Sequence, residues 1–347
     1  MFGNELIEGS DEILGWPMMR STPVLYYNQD MLDEKNITPP TTWEELVDSA
    51  EKLTTEEVKG LGLPDTWSDW IFGAFSREAG TQLIEDDWTT VTFDSGGNTK
   101  ALDIWDGLAK GGSIPVPLTP WSTAIDEFNA GSFAMLYFTT GGITKVESGA
   151  NFAWSCVYCP AGPDGFGVEE GGGDFHIFDN TSKAKQDAAW SLIQFLTNPE
   201  NAAIWSVSSG YIAVNKGAMD EEIMKATVEM TPQRLVAQNQ LEYSHPQMMS
   251  VNIELVREAV KASLGDVVQG TKTVSEAQAY GQAEMTAAIE AWNTVQSEVS
   301  GGDDSSGGDG STGGDDSTGG DSSGAAASGL GFTFTLLGVF VAGGYVL

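Results

Sequence analysis

The chain has 347 residues, enough for two domains or one large one. Its 50 acidic residues against 16 Lys and Arg give a formal charge of −34, which repels nucleic acid and anionic lipid and excludes both as partners. With 41% hydrophobic and 10% aromatic residues, it is too apolar for a disordered acidic chain. Acid spread along a folded chain so poor in Lys implies a halophilic source, where salt screens the self-repulsion.

The N-terminus, "MFGNELIEGSDEILGW", has no basic start and no long apolar run, so no signal peptide is expected. A strand follows at "PVLYYN", with Pro23 at its entrance. "TTWEELVDSAEKL" reads as a helix opened by Thr42, with Glu45 completing a capping box. "DTWSDWIFGAF" sets Trp67 and Trp70 beside a loop. Trp70, followed by Ile71 and Phe72, reads as core. Trp67, flanked by Asp65 and Ser68, reads as facing a cleft, where an indole stacks on the C–H face of a polyol or sugar.

Further along, "NTKALDIWDGLAK" is helical and "SFAMLYF" is a strand ending in "TTGG". That ending suits presentation of Thr139 and backbone N–H groups to an oxygen-rich ligand. "FAWSCVYC" reads as another strand. Cys156 and Cys159 then point to opposite faces, too far apart for a disulfide, and two His in the whole chain leave a zinc site short of ligands. Both read as small buried residues. "EEGGGDFHIF" does not match a dinucleotide fingerprint, and its Glu pair would repel a pyrophosphate.

Helical patterns continue at "QDAAWSLIQFL", "PENAAIWSV" and "NIELVREAVKASLG". The last lies at "VSEAQAYGQAEMTAAIEAW", with Thr273 and Glu276 as its capping box. Strands alternating with helices make this an α/β chain. There is no G-x-S-x-G, H-E-x-x-H or G-x-x-x-x-G-K-[ST], and His176 and His245 read as packed or surface imidazoles. An enzyme is therefore the poorer class, and no cofactor or metal is implied.

After Val299 comes "SGGDDSSGGDGSTGGDDSTGGDSSGAAAS", which has nothing apolar to fold around and is expected to be a disordered acidic linker. "GLGFTFTLLGVFVAGGYVL", Gly329 to Leu347, carries no charge. As a helix it would reach ~28 Å, about one hydrocarbon core, so a C-terminal transmembrane anchor is expected with the rest of the chain outside the cell.

The stretches "STPVLYYNQDML", "PPTTWEELVDSAEKL", "FNAGSFAM", "WSLIQFLTNPENAAIW", "SSGYIAVNK" and "VQGTKTVSEAQA" occur in this order and resemble the extracellular solute-binding proteins of ABC importers. The sugar-binding branch, including its glycerol-phosphate binders, is the nearest part of that family. The resemblance covers roughly residues 15 to 297. It implies a periplasmic-binding-protein-like two-lobe fold of type II, closing on a small polar solute and handing it to ABC permease subunits. The solute would be glycerol 3-phosphate or a related compound, with an oligosaccharide as the alternative within the family and a non-binding anchored fragment outside it.

In the family, the strand at Pro23 crosses from the first lobe into the second, so this chain is expected to be N-terminally truncated. Residues 1–23 would be a remnant of the first lobe and hinge, 24–150 and 203–298 the second lobe, and 151–202 a further remnant of the first. Residues 299–328 would be the linker and 329–347 the anchor. The implied ligand contacts are Ser21 at the hinge, the stacking Trp67, the hydroxyl of Thr139, the backbone N–H of Gly172 and the ring of Tyr211. Arg257 falls on the Arg that grips phosphate in glycerol-phosphate binders, where a bidentate guanidinium suits a phosphate. The alternative is a helix-surface Arg pairing with Glu254 or Glu258.

Overall fold

The computed structural model describes residues 13, 15–301 and 339–342. Strand β1 (Trp16–Ser21) passes through the single residue Thr22 into β2 (Pro23–Asn28), all six of whose residues are buried. Helices α1 (Gln29–Lys35) and α2 (Trp43–Leu53), strand β3 (Lys59–Gly62) and helices α3 (Ser68–Glu78), α4 (Gly96–Lys110) and α5 (Trp121–Asn129) follow. Strand β4 (Phe133–Thr139), helix α6 (Ile143–Gly149) and strand β5 (Trp154–Val157) complete a four-stranded mixed sheet in the order β3-β4-β2-β5. Strand β3 runs parallel to β4, while β2 is antiparallel to both β4 and β5.

Period-two alternation feeds two cores from this sheet. Leu25 and Tyr27, with Met135 and Tyr137, face the larger core of Trp43, Phe72, Phe75 and Trp105. Val24 and Tyr26, with Leu136 and Phe138, face Phe128, Ile143 and Val146. A sheet covered on both faces reads as a continuous apolar run, which is why "PVLYYN" and "FAMLYF" show no polar alternation. Cys156 and Cys159 are free, buried thiols that divide between the two cores. Burial pushes the Cys156 thiol up to about 12.

The rest of the chain begins with β6 (Val168–Glu169) and β7 (Gly171–Ile177), followed by α7 (Lys183–Leu196), α8 (Pro199–Ser209), α9 (Glu222–Met230) and α10 (Arg234–Gln240). Strand β8 (Ser244–His245), helices α11 (Ile253–Gln269) and α12 (Val274–Gly301), and strand β9 (Val339–Ala342) complete the order. A second sheet runs β1-β7-β9, with both contacts antiparallel. Helix α7 packs on β7, and Trp16 meets Trp190 edge to face at 5.2 Å. Helices α11 and α12 return to the large core through Val256, Val260 and Met285.

The capping expectations meet two outcomes. Thr273 and Glu276 form the full reciprocal box, with N–H···O distances of 3.3 and 2.9 Å. At α2, Thr42 Oγ1 accepts from Glu45 N at 3.3 Å, but Glu45 accepts from Thr41 N at 2.8 Å, one residue earlier than the box requires.

Strand β5 lies at the edge of the large sheet, where Trp154 packs on Tyr26 and Phe152 on Phe128. The expected linker start at 299 falls inside α12, which runs to Gly301. Among the described residues no helix is long and apolar enough to cross a membrane. Within the expected anchor, residues 339–342 are extended and pair with Asp174–Ile177 of β7. The other residues of the anchor, and those of the linker beyond 301, lie outside the described residues.

Candidate functional site

The site lies where β1 gives way to β2. Ser21, the last residue of β1, is 1% exposed, and its hydroxyl has no hydrogen-bond partner among the described residues. An orphan buried hydroxyl is uncommon, because an unmade hydrogen bond costs ~1–3 kcal/mol. It stands opposite Gly171 in the β1–β7 register. A methyl group at Gly171 would come within 2.8 Å of Ser21 Oγ and 2.9 Å of the Trp70 indole, so the glycine lets both approach.

Gly172 pairs with Arg20 and has φ +133°, a conformation closed to side-chain-bearing residues. A Cβ there would lie 2.1 Å from Met19 O. Arg20 is held by Asp174 at 2.8 Å and Glu170 at 3.5 Å, and its carbonyl accepts from Ile212 N at 2.8 Å. That bond brings the chain after α8 to the junction.

Tyr211 follows Gly210, whose left-handed φ of +86° ends α8. The Tyr211 ring lies against Gly141, where a Cβ would meet it at 2.9 Å. Thr139 ends β4 two residues before Gly141, and its Oγ1 accepts from Gly141 N at 3.2 Å. Thr140 N donates to Thr22 O at 3.0 Å, so this turn sits beside Ser21.

The third part of the site begins at the N-terminus of α3. Trp67 is half-buried, and its ring lies edge-on to Trp121 at 6.4 Å. Trp121 in turn stacks on Phe138 at 4.0 Å, beside Thr139. The Arg257 guanidinium, brought from α11, sits over Trp67 with Cζ 3.9 Å from the ring centroid. Its Nε donates to Asp69 Oδ2 at 2.8 Å and its Nη2 to Asp69 Oδ1 at 3.4 Å. The Asp69 side chain is 2% exposed and that of Arg257 is 15% exposed. Burial raises the Asp69 carboxyl above its ordinary range, against the opposing pull of Arg257.

Trp70 Nε1 donates to Glu169 O at 3.2 Å, tying α3 to the strand that leads into β7. Glu169 is buried, pairs with Arg77 at 3.3 Å and accepts from Met248 N at 3.2 Å. Burial outweighs the arginine and pushes Glu169 up to about 7.

Of the six expected contacts, Trp67 and Arg257 touch, Gly172 lies one register position from the partner of Ser21 on β7, and Tyr211 lies against Gly141, whose N–H Thr139 holds. Arg257 does not pair with Glu254 or Glu258; its carboxylate is Asp69, and Glu258 binds Lys261 instead. Sequence reasoning missed Asp69 and Trp121. Asp69 was visible as the second acid of "DTWSD", but its partner lies 188 residues away.

The arrangement offers an aromatic wall, an orphan hydroxyl, backbone at a glycine turn and one oriented guanidinium. Those are the elements of a polar-solute cleft. The chain belongs to the family of bacterial extracellular solute-binding proteins, whose pattern matches residues 5–232. Among its relatives, it is 25% identical to the sn-glycerol-3-phosphate-binding periplasmic protein UgpB of Pectobacterium atrosepticum, over 77% of this chain and 64% of that protein. UgpB of Escherichia coli K12 is 26% identical over 76% of this chain and 64% of its own length. The chain therefore spans less than two-thirds of the length of these relatives, 64% of each.

Among solved structures, UgpB from Mycobacterium tuberculosis in complex with glycerophosphocholine superposes with a TM-score of 0.72 at 21% identity, covering 80% of this chain and 71% of that one. The cyclic alpha-maltosyl-1,6-maltose binding protein from Arthrobacter globiformis gives 0.71 at 21%, covering 82% and 74%. These likenesses place the chain in the two-lobe α/β architecture of periplasmic binding proteins.

Proposed function

We propose that this chain is the solute-binding component of an ABC importer and acts without chemistry of its own. It captures glycerol 3-phosphate or a related polar solute at the junction of two lobes and delivers it to permease subunits. The observation that carries this reading is Arg257, held over the half-buried Trp67 ring with its side chain 15% exposed. A cation on an aromatic wall suits a ligand with an anionic group at one end and C–H faces along its body. Ser21, Thr139, the backbone at Gly172 and the Tyr211 ring supply the remaining polar contacts. Domain closure about the β1–β2 connection is the motion expected of such a fold.

An oligosaccharide is the second reading, favoured by Trp121, which extends the aromatic wall beyond Trp67. Calorimetry of the full chain with glycerol 3-phosphate, glycerophosphocholine and maltose separates the two. Heat from maltose alone rejects the phosphate reading, and no heat from any of the three leaves a non-binding fragment.

The protein works outside the cell, in keeping with its family, and its acidic surface fits a halophilic archaeon. The uncharged segment 329–347 is the membrane anchor of this proposal, tethered by the Gly, Asp and Ser linker. Pairing of residues 339–342 with β7 is an alternative use of the same segment, exclusive of insertion.

A further inference from the structure

The charges around Arg257 carry a statement about which ligands the site admits, and it rests on the reading of Arg257 as a ligand contact. We propose that Asp69 determines ligand charge here: by occupying one edge of Arg257 it makes the site favour a phosphodiester, with one negative charge, over a phosphomonoester dianion.

A guanidinium offers five N–H donors around a planar fork. Asp69 takes Nε at 2.8 Å and one Nη2 donor at 3.4 Å, and the Trp67 ring covers one face. Only the outer Nη1 and Nη2 edge remains for a ligand, room for one two-point contact to a pair of phosphate oxygens. The ligand therefore meets a guanidinium whose charge is already matched by a carboxylate beside it.

Among the described residues the nearest further cation, Lys261, also acts on Asp69, but it brings a carboxylate of its own. Lys261, one turn further along α11, is paired with Glu258. Arg77 is paired with Glu169, and Arg20 with Asp174 and Glu170. Asp65 adds a negative charge beside the aromatic wall, where its Oδ1 accepts from Trp121 N at 3.0 Å. Arg257 with Asp69 and Lys261 with Glu258 are each neutral as pairs, and Asp65 leaves the group net negative by one charge. A dianion must bring two charges into this field, whereas a diester brings one and keeps the same pair of oxygens for the free edge. Asp69 lies nine-tenths and more out of water, so solvent screens its repulsion weakly.

The test is calorimetry on the full chain at fixed ionic strength, with sn-glycerol 3-phosphate and glycerophosphoglycerol, a phosphodiester with one negative charge and no cation, as probes. The wild type should bind the diester at least tenfold more tightly. Asp69→Asn, which keeps an acceptor for Nε but removes the charge, should gain at least tenfold for the monoester and change less than threefold for the diester. Asp69→Thr serves the same purpose should Asn not fold, and the wild-type ratio needs no variant.

Equal wild-type affinity for the two probes overturns the proposal. So does a parallel loss for both in Asp69→Asn, which would make Asp69 only a prop for Arg257. Wild type silent to both probes rejects the proposed function. A monoester response gained by Asp69→Asn would even then support the charge assignment, and silence of the variant too overturns both.

Discussion

Arg257 Nε lies 2.8 Å from Asp69 Oδ2, and this bond joins α11 to the first turn of α3 beneath the Trp67 ring. The pair is both a structural clamp and the means by which a cation is oriented against the aromatic wall. Removing either partner therefore has two separable consequences.

Arg257→Ala should weaken glycerol 3-phosphate or glycerophosphocholine at least tenfold while changing a neutral sugar little, read by calorimetry. It should also destabilise the fold by about 3 kcal/mol, because Asp69 is left buried and unpaired. Without Arg257, nothing of comparable strength opposes burial, so the folded pKa of Asp69 climbs further above its unfolded value. The native state then holds its proton more tightly, and the variant's stability falls as pH rises through that window. Urea midpoints that worsen from acid to neutral pH check the sign.

Glu169 makes a second pH prediction. Its folded pKa is about 7 against an ordinary 4.5, so between those values the folded state binds the proton more tightly. Wild-type stability should fall as pH rises across the window, with a slope of at most ~1.4 kcal/mol per pH unit from this one group. Glu169→Gln should flatten that part of the profile in urea titrations between pH 5 and 7.5.

Gly172→Ala should disrupt the β1–β7 pairing. The residue sits at φ +133° with Met19 O only 2.1 Å from any Cβ, so both the backbone and its neighbour must move. A loss of at least ~2 kcal/mol is expected, seen as a lowered thermal midpoint. Faster hydrogen exchange should be confined to β1 and β7.

Hydrogen exchange of the unaltered chain should already separate the two sheets. Strands β2 and β4 lie between two cores, whereas β7 carries one helix, α7, whose Trp190 and Phe195 are 38% and 60% exposed. Amides of β2 and β4 should exchange slowest, and those of β7 and α7 markedly faster. Uniform protection across both would contradict this division.

Ending the chain at Ser300 tests the C-terminal segment. The shortened protein should remain in the soluble fraction at high salt, while the full chain should sediment with membranes. A soluble full chain in which β7 amides lose protection on truncation would instead favour the strand pairing of residues 339–342.

Much of the architecture was legible along the chain. "PVLYYN" and "FAMLYF" announced buried strands, and Thr42 and Thr273 announced helix starts that α2 and α12 obey. Short or mixed segments were less legible. Strand β3 is only Lys59–Gly62, with two glycines, and α5 has no side-chain cap to mark its beginning at Trp121. Strand β5 was recognised as a strand but not as a neighbour of β2, because its partner is chosen by sheet order rather than by its own residues.

The candidate site divides in the same way. By itself, the sequence determined which residue types were available and where each strand or helix would present them, because periodicity and capping act over a few residues. It marked Trp67 and Thr139 from their turns and neighbours, and Tyr211 only through the family resemblance. Only the tertiary structure decided that Arg257 turns from Glu254 and Glu258, on its own helix, to Asp69, 188 residues away. An exposed pair within one helix is worth a few tenths of a kcal/mol, roughly. A bond to a buried carboxylate between packed helices is stronger, and the approach of α11 to α3 that permits it is set by the shared core of Val256, Val260 and Phe72.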